Sequence, residues 1–214
     1  MADTSIDSSR VPRSRVYDGA LFAFIIDPIN AELHAFVAKQ VETGARLLDI
    51  GSGTGALAFR LAPRAAEVLG VDVSPAMVAY ANRRLRERGT DNVSFVVGDA
   101  ATALANRPDA SFDVATMVLV LHEIPADARA RVLRDATRLA GRLLCLDYRI
   151  PLPQSPTGWF FRGLEMAAGC EHYRAFRDYS ARGGTEQIAA AAGLSFRRMR
   201  NIARGAIEVS EIRR

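Results

Sequence analysis

The sequence LLDIGSGTG, residues 47–55, decides the fold of this chain. A short apolar run ends at Asp49, three glycines follow at alternate positions, and ALAFRL at 56–61 has the apolar spacing of a helix. This order is typical of a strand, a tight turn and a helix start. The glycines allow backbone conformations that other residues avoid, and the unpaired N–H groups of the helix start point to the same place. The stretch therefore predicts a ligand-binding loop at the edge of a sheet.

Two kinds of nucleotide-containing ligand fit such a loop. The dinucleotide-binding pattern G-x-G-x-x-G/A is met by Gly51, Gly53 and Ala56, so the glycines alone leave both open. Asp49 decides between them, because a carboxylate at a strand end repels a pyrophosphate and attracts a ligand that carries an ammonium and a sulfonium group. We therefore expect S-adenosylmethionine rather than NAD.

The pattern D-x-G-x-G-x-G after an apolar strand resembles the first motif of the class I S-adenosylmethionine-dependent methyltransferases. The segment FDVATMVLVLHEI at 112–124 resembles small-molecule methyltransferases of this class. The segment YRAFRDYS at 173–180 is similar to the quinone-ring C-methyltransferases of ubiquinone and menaquinone synthesis. Those enzymes usually carry Arg-Asn where this chain has His122 and Glu123. This difference concerns the acceptor and not the cofactor.

Strand-like and helix-like patterns alternate through the middle of the chain, as βαβ units require. Strands are predicted at 46–50, 67–71, 93–97, 112–118 and 142–147, and helices at 75–88 and 125–139. Together with the family resemblance, this alternation predicts an α/β, Rossmann-like class I methyltransferase fold. We expect a mostly parallel seven-stranded sheet flanked by helices, with a small helical cap.

The chain is predicted to form one methyltransferase domain over residues 15–214. Residues 1–14 are polar and serine-rich, so we expect them to be disordered. Residues 15–42 predict two short lid helices separated at Pro28, and residues 151–183 predict a cap insertion.

Three acidic residues, Asp49, Asp72 and Asp99, end successive predicted strands. Because ligands bind outside the carboxyl ends of parallel strands, the three carboxylates are expected to converge on one crevice. The family resemblance implies that Asp72 accepts the ribose hydroxyls and that Asp99 and the Ala100 N–H contact the adenine. The complete set of cofactor-binding residues that it implies is Tyr17, Asp49, Gly51, Ser52, Gly53, Thr54, Gly55, Asp72, Val73, Met77, Gly98, Asp99, Ala100 and Met117.

The acceptor is expected to be small and largely apolar or aromatic, because aromatic residues are concentrated in the two segments that would cover the crevice. Trp159, His172 and Tyr173 are the predicted pocket residues. His122 is the candidate general base, since an imidazole pKa near neutrality suits proton removal. The alternative is a histidine that packs at a helix start. No His, Cys or carboxylate spacing predicts a metal site.

Composition limits the remaining functions. The net charge is +4, but the arginines are spread along the chain, and Arg197, Arg198, Arg200 and Arg204 are predicted to form a solvated strand face rather than a phosphate track. The longest apolar runs are too short to span a bilayer, so we expect a cytoplasmic monomer or homodimer without a nucleic-acid partner. A nucleic-acid methyltransferase, a non-catalytic adenosyl-cofactor binder and an NAD-dependent dehydrogenase are the alternatives, and S-adenosylhomocysteine is the expected product of the leading hypothesis.

Overall fold

The computed structural model describes residues 19–214, without the side chains at 19–23, 25–26, 28–29 and 101–102. The predictions for residues 1–14 and for Tyr17 lie outside the described residues. Seven strands form one sheet in the order β3-β2-β1-β4-β5-β7-β6. The strands are β1 Arg46–Ile50, β2 Glu67–Asp72, β3 Val93–Val97, β4 Val114–Val118, β5 Leu143–Tyr148, β6 Ser195–Ile202 and β7 Ile207–Arg213.

Helices cover both faces of this sheet. They are α1 Gly19–Gln40, α2 Ala56–Leu61, α3 Pro75–Arg88, α4 Ala100–Ala103, α5 Ala126–Leu139, α6 Pro156–Ala167, α7 Cys170–Ala181 and α8 Gly184–Ala191. The order of elements and the predicted fold class are confirmed. Within the described residues, no helix combines the length and the apolar character that a membrane span requires.

The central strands are buried on both faces, which explains why they are nearly continuous apolar runs. All six residues of β5 are buried, as are the first four of β4. Pairing is parallel from β3 through β5, whereas β7 runs antiparallel to both β5 and β6. The carboxyl ends of the five parallel strands therefore lie along one edge of the sheet.

The prediction of two short helices separated at Pro28 is wrong, because α1 continues through that residue. A proline in a helix interior costs about 3 kcal/mol. Burial of Leu33 and Val37 on the same helix contributes about 1.5–3 kcal/mol each. Before the proline, Asp27 accepts a hydrogen bond from Thr54 Oγ1 at 2.7 Å. Tertiary contacts on both sides of Pro28 thus outweigh its local preference.

Arg129 of α5 joins the cap to the sheet. Its side chain is 1% exposed, and its guanidinium donates to the carbonyl oxygens of Leu121 and His122 at 3.2 and 3.3 Å. The same group donates to Ala175 O at 2.8 Å and to Asp178 Oδ2 at 2.7 Å, both on α7. One buried cation therefore sets the distance between the loop after β4 and the cap helix α7.

Replacement of this cation tests its role. We expect Arg129→Met to lower the free energy of unfolding by about 3 kcal/mol, because it leaves buried carbonyl oxygens without a donor. Urea denaturation followed by circular dichroism measures the loss. Arg182→Met is the matched control, since Arg182 pairs with the same Asp178 but is exposed, and it should cost less than about 1 kcal/mol. Equal losses in the two variants would contradict the assigned role.

Candidate functional site

The glycine loop between β1 and α2 packs against the side chain of Val120. Gly51 has φ +72°, and a Cβ at this position would clash with the side chain of Val120, which follows β4. Gly53 has φ +52°, although a Cβ there would meet nothing within 4 Å, and its N–H donates to Asp72 Oδ2 at 2.8 Å. Close approach therefore requires glycine at 51, while left-handed backbone favours it at 53.

A cavity of about 300 Å³ opens at the carboxyl ends of the parallel strands. Asp49, Asp72 and Asp99 all line it, on the same edge of the sheet. The other predicted site residues that line it are Gly51, Ser52, Gly53, Thr54, Val73, Met77, Gly98, Ala100, His122 and His172. The structure thus brings together residues from the four loops that follow β1, β2, β3 and β4, and one residue from helix α7.

Four predicted site residues lie away from the cavity wall. Gly55 lies behind the loop, where a Cβ would meet the rings of Phe95 and Phe59. Met117 is fully buried in β4, Tyr173 stacks on Phe176, and Trp159 is 65% exposed. None of the four is among the residues that line the cavity. For Trp159 and Tyr173, the position in the sequence did not fix which way the side chain points. The family resemblance implied a backbone contact for Met117, and that contact stays a prediction.

Trp159 illustrates the physical reason. Helix α6 buries Gly158, Phe161 and Glu165, which are spaced three and four residues apart and share one face. Trp159 lies on another face of the same helix and points to solvent. The inward face therefore presents one aromatic ring and one carboxylate to the cavity, and the aromatic lining is thinner than predicted.

Asp49 is a buried acid, and in the part of the chain that the structure describes only one of its two carboxylate oxygens has a hydrogen-bond partner. It is 2% exposed, and its Oδ1 accepts from Thr116 Oγ1 at 2.8 Å. Among the described residues, its Oδ2 has no hydrogen-bond partner, and neither has Ser52 Oγ. Burial and, to a smaller extent, the nearby charge of Asp72 raise the pKa of Asp49 to about 7, although the hydrogen bond from Thr116 opposes the shift. A cationic ligand in the cavity would supply the missing partner.

Asp72 contributes to the structure of the loop as well as to the cavity. Its two carboxylate oxygens accept from the N–H groups of Gly53 and Ser74, each at 2.8 Å. Burial raises its pKa, and the two backbone hydrogen bonds oppose that shift. A carboxylate oxygen has room for a second hydrogen bond, so the side chain can hold the loop and still accept from a ligand hydroxyl.

Helix α1 contributes polar residues that sequence reasoning missed. Asp27, Asn30 and His34 line the cavity, and Asp27 lies 3.5 Å from Arg84 Nη1. The same Arg84 donates to Thr54 O at 2.9 Å, so α1, α3 and the glycine loop are tied at one point. The sequence feature that could have indicated this role is Asp27, an acidic residue directly before a proline within a helical pattern.

His122 is held by a buried carboxylate. Its Nδ1 donates to Asp147 Oδ1 at 2.7 Å, and its backbone N–H donates to Asp147 Oδ2 at 3.1 Å. Its Nε2 lies 3.7 Å from Glu165 Oε1 and 3.9 Å from Glu123 Oε1. Burial alone would lower the pKa of His122, but the carboxylates outweigh it and raise that pKa to about 9. The expected near-neutral imidazole is therefore a charged one.

Glu165 connects a second histidine to this group. Its Oε2 lies 2.8 Å from His172 Nε2, and its Oε1 accepts from the Tyr148 hydroxyl at 2.6 Å. Burial opposes ionisation of both partners. The charge of His122 and the hydrogen bond from His172 nevertheless lower the pKa of Glu165, and Glu165 and Glu123 raise the pKa of His172. A glutamate on the apolar face of α6 was the signal that sequence reasoning did not use.

The arginines of the last hairpin form ion pairs. Arg197 pairs with Glu211, and Arg198 pairs with Glu186 and Glu208. The guanidinium of Arg200 lies over the Phe36 ring. These contacts favour the predicted solvated strand face over a row of phosphate contacts.

Comparison with known proteins agrees with this geometry. Residues 47–141 match a family described as methyltransferase domain. The chain is 36% identical over 109 residues to the uncharacterized methyltransferase YcgJ of Bacillus subtilis (strain 168), covering 50% of this chain and 42% of that protein. It is 35% identical over 127 residues to the ubiquinone/menaquinone biosynthesis C-methyltransferase UbiE of Nitrobacter hamburgensis, covering 56% and 48%.

A solved structure extends the similarity beyond the matched segment. The crystal structure of the B. subtilis YcgJ protein has a TM-score of 0.60 and 26% identity, over 79% of this chain and 71% of that one. The sequence matches span under half the length of the two curated relatives. These similarities confirm the predicted family resemblance and fold.

The raised pKa of Asp49 predicts a pH-dependent instability of the ligand-free protein. With a pKa of about 7 in the folded chain against 3.8 ordinarily, stability falls as the pH rises between these values and stays low above them. We expect Asp49→Asn to remove this loss, with a gain of up to about 4 kcal/mol over the wild type at pH 8 and little gain at pH 4. Urea denaturation at both pH values measures it. The exposed Asp91→Asn is the control, and parallel pH profiles for wild type and Asp49→Asn would contradict the prediction.

Proposed function

Residues 47–141 are a methyltransferase domain of the class I, S-adenosylmethionine-dependent type, and from this premise we propose that the protein transfers a methyl group from S-adenosylmethionine to a small acceptor with an apolar body. The observation that carries the proposal is the convergence of Asp49, Asp72 and Asp99 on one cavity beside the glycine loop. Asp49 Oδ2, which has no hydrogen-bond partner among the described residues, favours a cationic ligand, and a pyrophosphate would be repelled.

Each end of the donor has a group that suits it. Asp72 would accept from the ribose hydroxyls while it holds Gly53 and Ser74 in place. Asp99, with the Ala100 N–H, would contact the adenine, and Val73 and Met77 would flank it. Asp49, Thr54 and the loop amides would hold the methionine part. These roles follow the family resemblance, and the positions along the cavity wall support them.

The chain's contribution to methyl transfer is alignment and exclusion of water. S-adenosylmethionine supplies a methyl carbon that is already activated by a sulfonium, so no protein nucleophile is required. The cavity continues from the glycine loop to His122 and His172, which leaves the acceptor beyond the methionine end. Val120, packed over Gly51, and Leu164 close this part of the cavity with apolar surface.

The acceptor end combines apolar and polar surface. Ile124, Phe161 and Leu164 provide apolar contacts, while Glu123 and Glu165 add carboxylates. An acceptor with an apolar body and one polar reacting group fits this mixture. Because His122 is protonated below pH 9, it suits positioning or proton donation in the ligand-free state, and a base role would require that proton to be displaced.

Binding measurements test the first half of the proposal. We expect isothermal titration calorimetry to show one S-adenosylhomocysteine bound per chain and no binding of NAD, because the cavity edge carries three carboxylates. Binding of NAD without binding of S-adenosylhomocysteine would replace the proposal by the dehydrogenase alternative.

The assigned ribose contact makes a sharper prediction. Asp72→Asn should weaken S-adenosylhomocysteine binding by at least about tenfold, because an amide keeps the shape but loses one of two acceptor oxygens and the charge. Thermal unfolding should also fall, since the N–H groups of Gly53 and Ser74 share that carboxylate. The two hydrogen bonds thus give this strand-end carboxylate a structural role as well. Asp91→Asn is the matched control, and unchanged affinity in Asp72→Asn would refute the contact.

A further inference from the structure

Three side chains that commonly ligate metals converge at the acceptor end of the cavity. One ring nitrogen of His122, one ring nitrogen of His172 and a carboxylate oxygen of Glu123 all lie within 4.8 Å of one another. Glu123 Oε1 is 3.9 Å from His122 Nε2 and 3.7 Å from His172 Nε2. Ligand atoms about 2.1 Å from one metal ion lie roughly 3 to 3.5 Å apart, so small side-chain movements would complete the site.

We propose that this cluster binds one divalent first-row transition-metal ion through Nε2 of His122, Nε2 of His172 and the carboxylate of Glu123. Sequence spacing predicted no metal site, because two of the ligands are adjacent and the third lies on the distant helix α7. Arg129 brings the two parts together by binding the carbonyl oxygens of His122 and Ala175.

The surroundings of His122 match those of a metal-bound histidine. Such a residue usually donates its other ring N–H to a carboxylate, which fixes the tautomer and the direction of the ligating nitrogen. Asp147 Oδ1 lies 2.7 Å from His122 Nδ1, and the Asp147 side chain is fully buried in β5. Nδ1 is thereby committed to Asp147, and Nε2 points toward Glu123 and Glu165.

The charge of the cluster also favours a cation. Metal binding at these nitrogens displaces one proton from each imidazole to solvent, including the His172 proton that faces Glu165 Oε2 at 2.8 Å. With the imidazoles neutral, Asp147, Glu123 and Glu165 leave the cluster three negative charges, which a divalent ion largely offsets. Imidazole and carboxylate ligands together suit zinc, manganese, iron or cobalt ions. Glu165 is itself held by the Tyr148 hydroxyl, which keeps its carboxylate beside both rings.

With three protein ligands, the ion keeps an open position toward the cavity. Resting on the proposed function, this position would take a hydroxyl oxygen of the methyl acceptor and lower its pKa. The O–H bond breaks with its electron pair left on the oxygen, and the proton passes to the Glu165 carboxylate. The substrate class is therefore an acceptor with a hydroxyl group at the end that meets the methyl donor.

Metal titration of the full chain tests the site without any acceptor. After dialysis against a chelator, we expect one Co²⁺ per chain with a visible absorption band, and displacement of Co²⁺ by Zn²⁺. His172→Gln and Glu123→Gln should each weaken Co²⁺ binding at least about tenfold, and Asp147→Asn about 10–100-fold. Their matched controls are His34→Gln, which lies elsewhere in the cavity, and the exposed Glu171→Gln, and both should bind Co²⁺ like the wild type.

An oxygen ligand tests the open position. Acetohydroxamate should shift the Co²⁺ absorption of the wild-type protein, because it binds to a metal that is accessible from the cavity. An unchanged spectrum would mean a closed, structural site and would overturn the acceptor role.

Measuring S-adenosylhomocysteine binding distinguishes a failure of the metal-site proposal from a failure of the proposed methyltransferase function. His172→Gln should still bind S-adenosylhomocysteine, which shows that the variant is folded. A chain that binds S-adenosylhomocysteine but neither Co²⁺ nor Zn²⁺ refutes the metal site alone, as does Co²⁺ binding that persists in both ligand variants. Metal binding without S-adenosylhomocysteine binding would refute the proposed function and leave the metal site in place.

Discussion

Buried carboxylates at the carboxyl edge of the sheet are the constraint on which the rest of this structure depends. A carboxylate that leaves water must find hydrogen bonds, a counter-charge or a proton. Asp49 finds one hydrogen bond, and its pKa rises to about 7. Asp147 finds its partners in His122 and in backbone N–H groups. Both acids lie at the carboxyl edge of the sheet, Asp49 in β1 and Asp147 in β5. Among the described residues, Asp147 has a cationic partner in His122, whereas Asp49 has none.

This difference divides the cavity into two parts. On the side of the glycine loop, the described residues leave Asp49 Oδ2 without a partner, so a ligand has to bring positive charge. On the side of the cap, His122 and His172 form ion pairs with Asp147, Glu123 and Glu165. On the glycine-loop side, stability and function oppose one another. The ionised Asp49 carboxylate destabilises the ligand-free fold, and binding of a cationic ligand stabilises it again.

The cap keeps the second part in place through a contact far from any ligand. Arg129 holds the loop after β4 and the helix α7 at once, and each of these carries one of the two histidines. Pro28 and Trp159 show the same priority of long-range contacts over local pattern. Helix α1 continues through its proline because Asp27 and Leu33 are anchored on either side, and Trp159 points to solvent because α6 turns Phe161 and Glu165 inward.

The sequence by itself determined the five parallel strands, the glycine loop and the shared edge of Asp49, Asp72 and Asp99. These features depend on short-range regularities: apolar runs form buried strands, and parallel strands connected by helices must place their carboxyl ends together. Only the tertiary structure decided the partners of His122. Glu165 and His172 approach it from α6 and α7, and no local pattern records how two cap helices pack on a sheet. The charge of His122 depends on those distant carboxylates, so its chemistry became readable only once the chain was folded.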